Sequence, residues 1–184
     1  HSGTRWVESD LMVSQRGRYL AAQVLDYTEG ETLSGNFIDL YDDTLKGVDE
    51  KQLTAGESAL LYDLTELLTP GTPRFGFTGG ELVGDVTERS DQTSFSIRGP
   101  ANSVSSTRLL GNGRYPTAIR VACGGERYPK YTVAWDNATA SLLIQVENST
   151  AVPVDITVEW GDDPIEDTSP YQWSARKYAT NSQG

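Results

Sequence analysis

Residues 154 to 160 read Val-Asp-Ile-Thr-Val-Glu-Trp, a strict alternation that puts Val154, Ile156, Val158 and Trp160 on one side of an extended chain. Successive side chains of a strand point to opposite faces, so this segment predicts an antiparallel strand with one buried and one solvated face. Similar short segments recur upstream. Tyr131–Trp135 and Ser141–Val146 flank Asp136-Asn137-Ala138-Thr139-Ala140, a connection of hairpin length. Thr93–Arg98, Ser103–Leu110 and Thr117–Cys123 are separated by Gly99-Pro100 and Gly111-Asn112-Gly113, which are turn signals. Nearer the start, Arg18–Tyr27, Asn36–Tyr41 and Gly56–Leu64 have strand character, with Gly30 and the Asp42-Asp43 to Gly47 stretch as breaks. The glycines of Arg74–Glu88 suggest a bulged strand or a tight hairpin about Gly79-Gly80. Thr65 is placed to cap one helical turn before Pro70.

This rhythm predicts an all-β chain, an antiparallel β-sandwich of jelly-roll or immunoglobulin-like type, with about nine to ten strands and at most one or two short helical turns. The expected division is an N-terminal segment over 1–15, a sandwich over 16–160 and a polar tail over 161–184. A split into two modules would fall near 99–113. One body is preferred, since neither half so defined has many apolar residues for a core. His1-Ser2-Gly3 reads as the remnant of an affinity tag.

Charge narrows the partners. With 26 acidic against 15 basic side chains the chain carries −11, and its Lys and Arg residues are scattered. A phosphate backbone or an anionic membrane surface would be repelled, so neither nucleic acid nor membrane is an expected partner. Neutral glycans, calcium and basic protein faces stay compatible with that charge.

The residue types also restrict the chemistry. His1 is the only histidine and Cys123 the only cysteine, so the Ser-His-Asp and Cys-His arrangements of hydrolases have no base. A copper site using an N-terminal histidine would need a second histidine. Carboxylates remain, and Asp39 with Asp63 on neighbouring strands is the candidate acid pair for a glycosidase. Asp39, Asp42 and Asp43 gather hard oxygen ligands about one turn, as do Asp162-Asp163 near Glu159, which makes structural calcium the metal to look for. No other cofactor is implied.

Four tryptophans and nine tyrosines supply flat rings that stack on sugar C–H faces. Trp135 beside Asp136 and Asn137, together with Tyr128, Tyr171 and Trp173 in expected loops or the tail, forms the candidate ligand-binding set. Trp160, in phase with Ile156 and Val158, is expected in the core. Asn137-Ala-Thr and Asn148-Ser-Thr match the N-glycosylation pattern.

Three stretches, Arg16–Asp26, Leu33–Asp42 and Gly56–Leu64, resemble accessory β-sandwich regions of large secreted carbohydrate-active enzymes. Ser94–Pro100 and the segment ending Val158-Glu-Trp160 are similar to the small β modules that close such enzymes. The resemblance implies a non-catalytic domain that binds a polysaccharide or oligosaccharide, or props a catalytic domain of the same full-length protein. The expected location is outside the cell or at its surface. The alternatives are a carboxylate-dependent glycosidase or lyase, and a structural or adhesion module assembled through sheet edges.

Overall fold

The computed structural model describes residues 2–6, 11–25 and 30–168, with backbone alone over 2–6. The described residues are all-β, with sixteen strands in three antiparallel sheets and one 3₁₀ turn. They fall into two compact units, residues 1–66 and 67–184. The division therefore lies at Glu66/Leu67 and not near 99–113. Its signal in the sequence is the Thr69-Pro70-Gly71-Thr72-Pro73 stretch, where two prolines and a glycine suit neither a strand nor a helix.

The first unit is a six-stranded sheet. Its strands are β1 (Ser2–Trp6), β2 (Leu11–Arg16), β3 (Tyr19–Val24), β4 (Glu31–Asp39), β5 (Gly47–Leu53) and β6 (Ser58–Asp63), in the order β1-β2-β3-β6-β4-β5. Leu11, Ala22, Val24, Phe37, Leu53, Ala59 and Leu61 form its core, with Val13 and Leu20 packed against them. Two strands escape the alternation rule. β5 reads Gly-Val-Asp-Glu-Lys-Gln-Leu because it is a sheet edge, where charged side chains discourage pairing with a second chain. β2 lies in what reads as an N-terminal segment, yet it pairs residue for residue with β3 from Leu11↔Val24 to Arg16↔Tyr19.

The second unit is a β-sandwich. One sheet has the order β14-β15-β11-β7, formed by Tyr131–Asp136, Ser141–Asn148, Ser103–Leu110 and Arg74–Thr78. The other has the order β13-β12-β16-β10-β8, formed by Glu126–Arg127, Tyr115–Cys123, Val154–Gly161, Gln92–Arg98 and Glu81–Leu82, while β9 (Thr87–Glu88) also pairs with β10. Both sheets feed one core, which includes Phe95, Ile97, Leu109, Ile119, Val133, Leu142, Ile144 and the whole alternating set Val154, Ile156, Val158 and Trp160. Gly99-Pro100 and Gly111–Gly113 are links inside this sandwich, since the strands on either side of them line the same core. The strand total exceeds the expected number partly because β8, β9 and β13 are two residues each, too short to leave a pattern.

Gly79-Gly80 is not a hairpin. β7 belongs to one sheet and β8 to the other, so the chain crosses between layers there. A Cβ on Gly80 would lie 3.2 Å from both the Arg98 carbonyl and the Ser105 hydroxyl, so the crossing is close enough to disfavour a side chain. The single helical turn, Thr65–Leu67, is capped by Asp63 and not by Thr65. Asp63 Oδ1 accepts the Thr65 N–H at 2.9 Å and its hydroxyl at 2.7 Å. The start of the expected tail is also ordered: the Thr168 N–H donates to the Trp135 carbonyl, and the Trp135 N–H donates back to Thr168 Oγ1. No helix among the described residues is long and apolar enough to cross a membrane.

Candidate functional site

The residues expected to bind a ligand near the β14–β15 turn hold the turn together instead. Trp135 is 2% exposed, in the sandwich core, edge-on to Tyr115 at 5.7 Å between ring centroids. A Cβ on Gly111 would lie 2.8 Å from the tip of its ring, so even that end is packed. No sugar reaches such a face, which corrects the expectation of a stacking platform. The alternation of Tyr131–Trp135 already puts Val133 and Trp135 on one side, and that is the core side.

Asn137 accepts the Trp135 indole N–H at 2.8 Å and donates to the Ile165 carbonyl at 2.9 Å. Asp136 accepts from the Ala138 N–H and the Thr139 hydroxyl. The Tyr128 hydroxyl donates to the Glu147 carbonyl and meets Ser149. These polar groups satisfy backbone and neighbours, as turn residues do. Tyr171 and Trp173 lie outside the described residues.

The carboxylates are dispersed in the same way. Asp39, 8% exposed, pairs with Lys51 Nζ at 2.8 Å and accepts the Tyr41 N–H. Asp42 accepts the Thr44 N–H and hydroxyl, and Asp43 is exposed. Among the described residues no group of three or more His, Cys, Asp or Glu is placed to hold a metal ion. Asp39 stands opposite Leu61 and Asp63 opposite Phe37, so the candidate acid pair occupies different rows of the sheet, each member separately engaged.

Asn148, the second glycosylation candidate, is 2% exposed. Its amide nitrogen donates to Ser105 Oγ at 2.8 Å and to Ser103. A glycan there would leave that buried network unmade and has no room. Folded protein secreted from a eukaryotic host is therefore expected to carry no glycan at Asn148, checked by peptide mass mapping; occupancy of that site in folded material would contradict the packing.

The first unit contains what the sequence pattern did not indicate, an open cleft of about 790 Å³ lined by Gln15, Arg16, Gly17, Arg18, Tyr19, Tyr62, Asp63 and Glu66. Its floor is a row across three strands, with Arg16 opposite Tyr19 and Tyr19 opposite Tyr62. Because Leu20, Ala22 and Leu61 face the core, this row stands on the opposite, solvent face. Tyr19 is 47% exposed, and Tyr62 meets it edge-on at 5.3 Å with the rings 76° apart. That edge-to-face contact is a favoured aromatic geometry and fixes the angle between the two rings.

Local chemistry shapes the walls. The β2–β3 turn has two residues, and Gly17 at its first position takes φ 59, a left-handed value that suits glycine and gives the tight turn of a twisted hairpin. The Arg18 carbonyl accepts the Asp63 N–H at 2.7 Å, which fastens the turn to the end of β6. Arg18 Nη2 reaches Glu66 Oε2 at 3.4 Å. The Tyr62 hydroxyl first, and Glu66 after it, hold the Arg18 guanidinium above even its ordinary range, so it stays charged at any working pH. The cleft thus offers a half-exposed phenol ring, a fixed arginine and acid acceptors. Both tyrosines sit in strands that read plainly from sequence; only the three-strand register reveals that they meet. Compared with protein-family models, curated proteins and solved structures, the chain has no match.

Proposed function

We propose that this chain is a non-catalytic β module of an exported glycan-processing protein, that it binds a polysaccharide or oligosaccharide, and that the β2–β3 cleft is where it does so. The observation that carries this reading is the Arg16–Tyr19–Tyr62 row, which sets a half-exposed aromatic side chain among hydrogen-bonding groups on a sheet. Sugars need that combination: a C–H face for the ring and charged or amide groups for the hydroxyls. The non-catalytic part follows from a single histidine in the sequence and from Asp39 and Asp63 being committed to Lys51 and Thr65. The partner is then the glycan, with a catalytic domain of the same full-length protein as a second one, and the place of action is secreted or cell-surface.

Affinity electrophoresis of the full chain through gels carrying neutral or acidic polysaccharides tests it. The wild type is expected to be retarded by at least one polymer, and Tyr19→Ala to bind roughly fivefold more weakly, the loss of one ring contact on the order of 1 kcal/mol. Free migration through every polymer, or unchanged retardation of Tyr19→Ala, would rule this site out.

A further inference from the structure

We infer that the cleft selects an acidic saccharide, one whose ring bears a carboxylate; this rests on the carbohydrate reading above and narrows it. The observation is the placement of positive charge. Residues 1–66 carry five basic against thirteen acidic side chains, yet two of the five, Arg16 and Arg18, stand at one hairpin tip and line one cleft. The screening length at physiological salt is about 8 Å, so a ligand seated there responds to these near charges and little to the acids farther off.

Two acids, Asp63 and Glu66, line the same cleft and balance its two arginines in formal charge, but each already has a partner, which leaves Arg16 as the charge open to a ligand. Asp63 Oδ1 takes both donors of Thr65, and Glu66 pairs with Arg18. Arg16 is exposed and, among the described residues, makes no ion pair and no side-chain hydrogen bond. A guanidinium with its donors available is a planar fork that matches the two oxygens of a carboxylate.

Spacing joins the fork to the ring. Arg16 and Tyr19 are directly opposite across β2–β3, which sets their Cβ atoms about 5 Å apart on one face. A uronic acid residue lying on Tyr19 carries its carboxylate at the edge of the sugar ring, which is where Arg16 stands. A neutral sugar would leave that fork to water.

The test uses the full chain in affinity electrophoresis and calorimetry. The probes are polygalacturonate, alginate and hyaluronan, with fully methyl-esterified polygalacturonate, glucan and mannan as neutral probes. Retention by at least one uronate polymer is expected. For that polymer, Arg16→Gln is expected to bind about tenfold more weakly, the usual loss for one charge-assisted pair. Masking the carboxylates as methyl esters is expected to weaken binding by a similar factor. Arg16 is exposed, and an unchanged melting midpoint verifies that the variant folds. Binding of a uronate polymer that ignores Arg16→Gln, or esterified polymer held as well as the free acid, would overturn the inference. Retention by neutral polymers alone would overturn it too and leave the broader carbohydrate reading standing. No retention by any probe overturns both.

Discussion

Trp135→Ala is expected to destabilise the sandwich of the second unit by about 3–5 kcal/mol, the range for emptying a fully packed aromatic site. The ring contacts Tyr115, reaches within van der Waals range of Gly111 and spends its indole N–H on Asn137. Its removal leaves a cavity and an Asn137 oxygen without its donor. A thermal melt should show a fall in midpoint on the order of 10 °C or more. Polysaccharide retention, measured well below the transition, should not change, since every residue lining the cleft belongs to the first unit. Loss of retention with intact stability would return Trp135 to a binding role.

Leu61→Ala is the corresponding change in the first unit, with an expected cost of about 2–5 kcal/mol. Leu61 is 0% exposed and stands opposite Leu20 on β3 and Asp39 on β4, at the junction where β6 joins the two halves of the sheet. A unit of this size has few buried side chains, so one truncated leucine is a large share of its core. Because β6 carries Tyr62, partial unfolding should weaken polysaccharide retention as the midpoint is approached. Denaturant titration monitored by circular dichroism supplies the magnitude. A loss below about 1 kcal/mol would mean that the Leu61 site collapses around the smaller side chain.

Thr93–Arg98, Tyr131–Trp135 and Val154–Trp160 read from sequence to within a residue or two because their alternation reports burial on one face; Ser103–Leu110 does not alternate and read as a strand because turn signals bracket it. β5 was hidden because an edge strand carries Asp49, Glu50 and Lys51 for reasons of solubility. The Gly79-Gly80 crossing was hidden because the same glycines serve a hairpin or a change of layer, and only pairing distinguishes them.

The cleft was not legible in the sequence. Aromatic density pointed toward ring stacking, but adjacency to a turn singled out Trp135, whose own alternation sends it inward. Tyr19 and Tyr62 are forty-three positions apart in the sequence. What makes them a pair is the β3–β6 ladder, a long-range register that no local pattern encodes. Arg16 enters by the same route, through β2–β3.

The order of strands in the sandwich sets which segment its closure depends on. Among the described residues β16 is the last strand in sequence, yet it lies between β12 and β10 and hydrogen-bonds to both. Without residues 154–161 the facing edges of β10 and β12 have no backbone partner in this sheet. The sheet is therefore completed at its middle and not at an edge, so a change that weakens β16 pairing is felt by the strands on both sides of it.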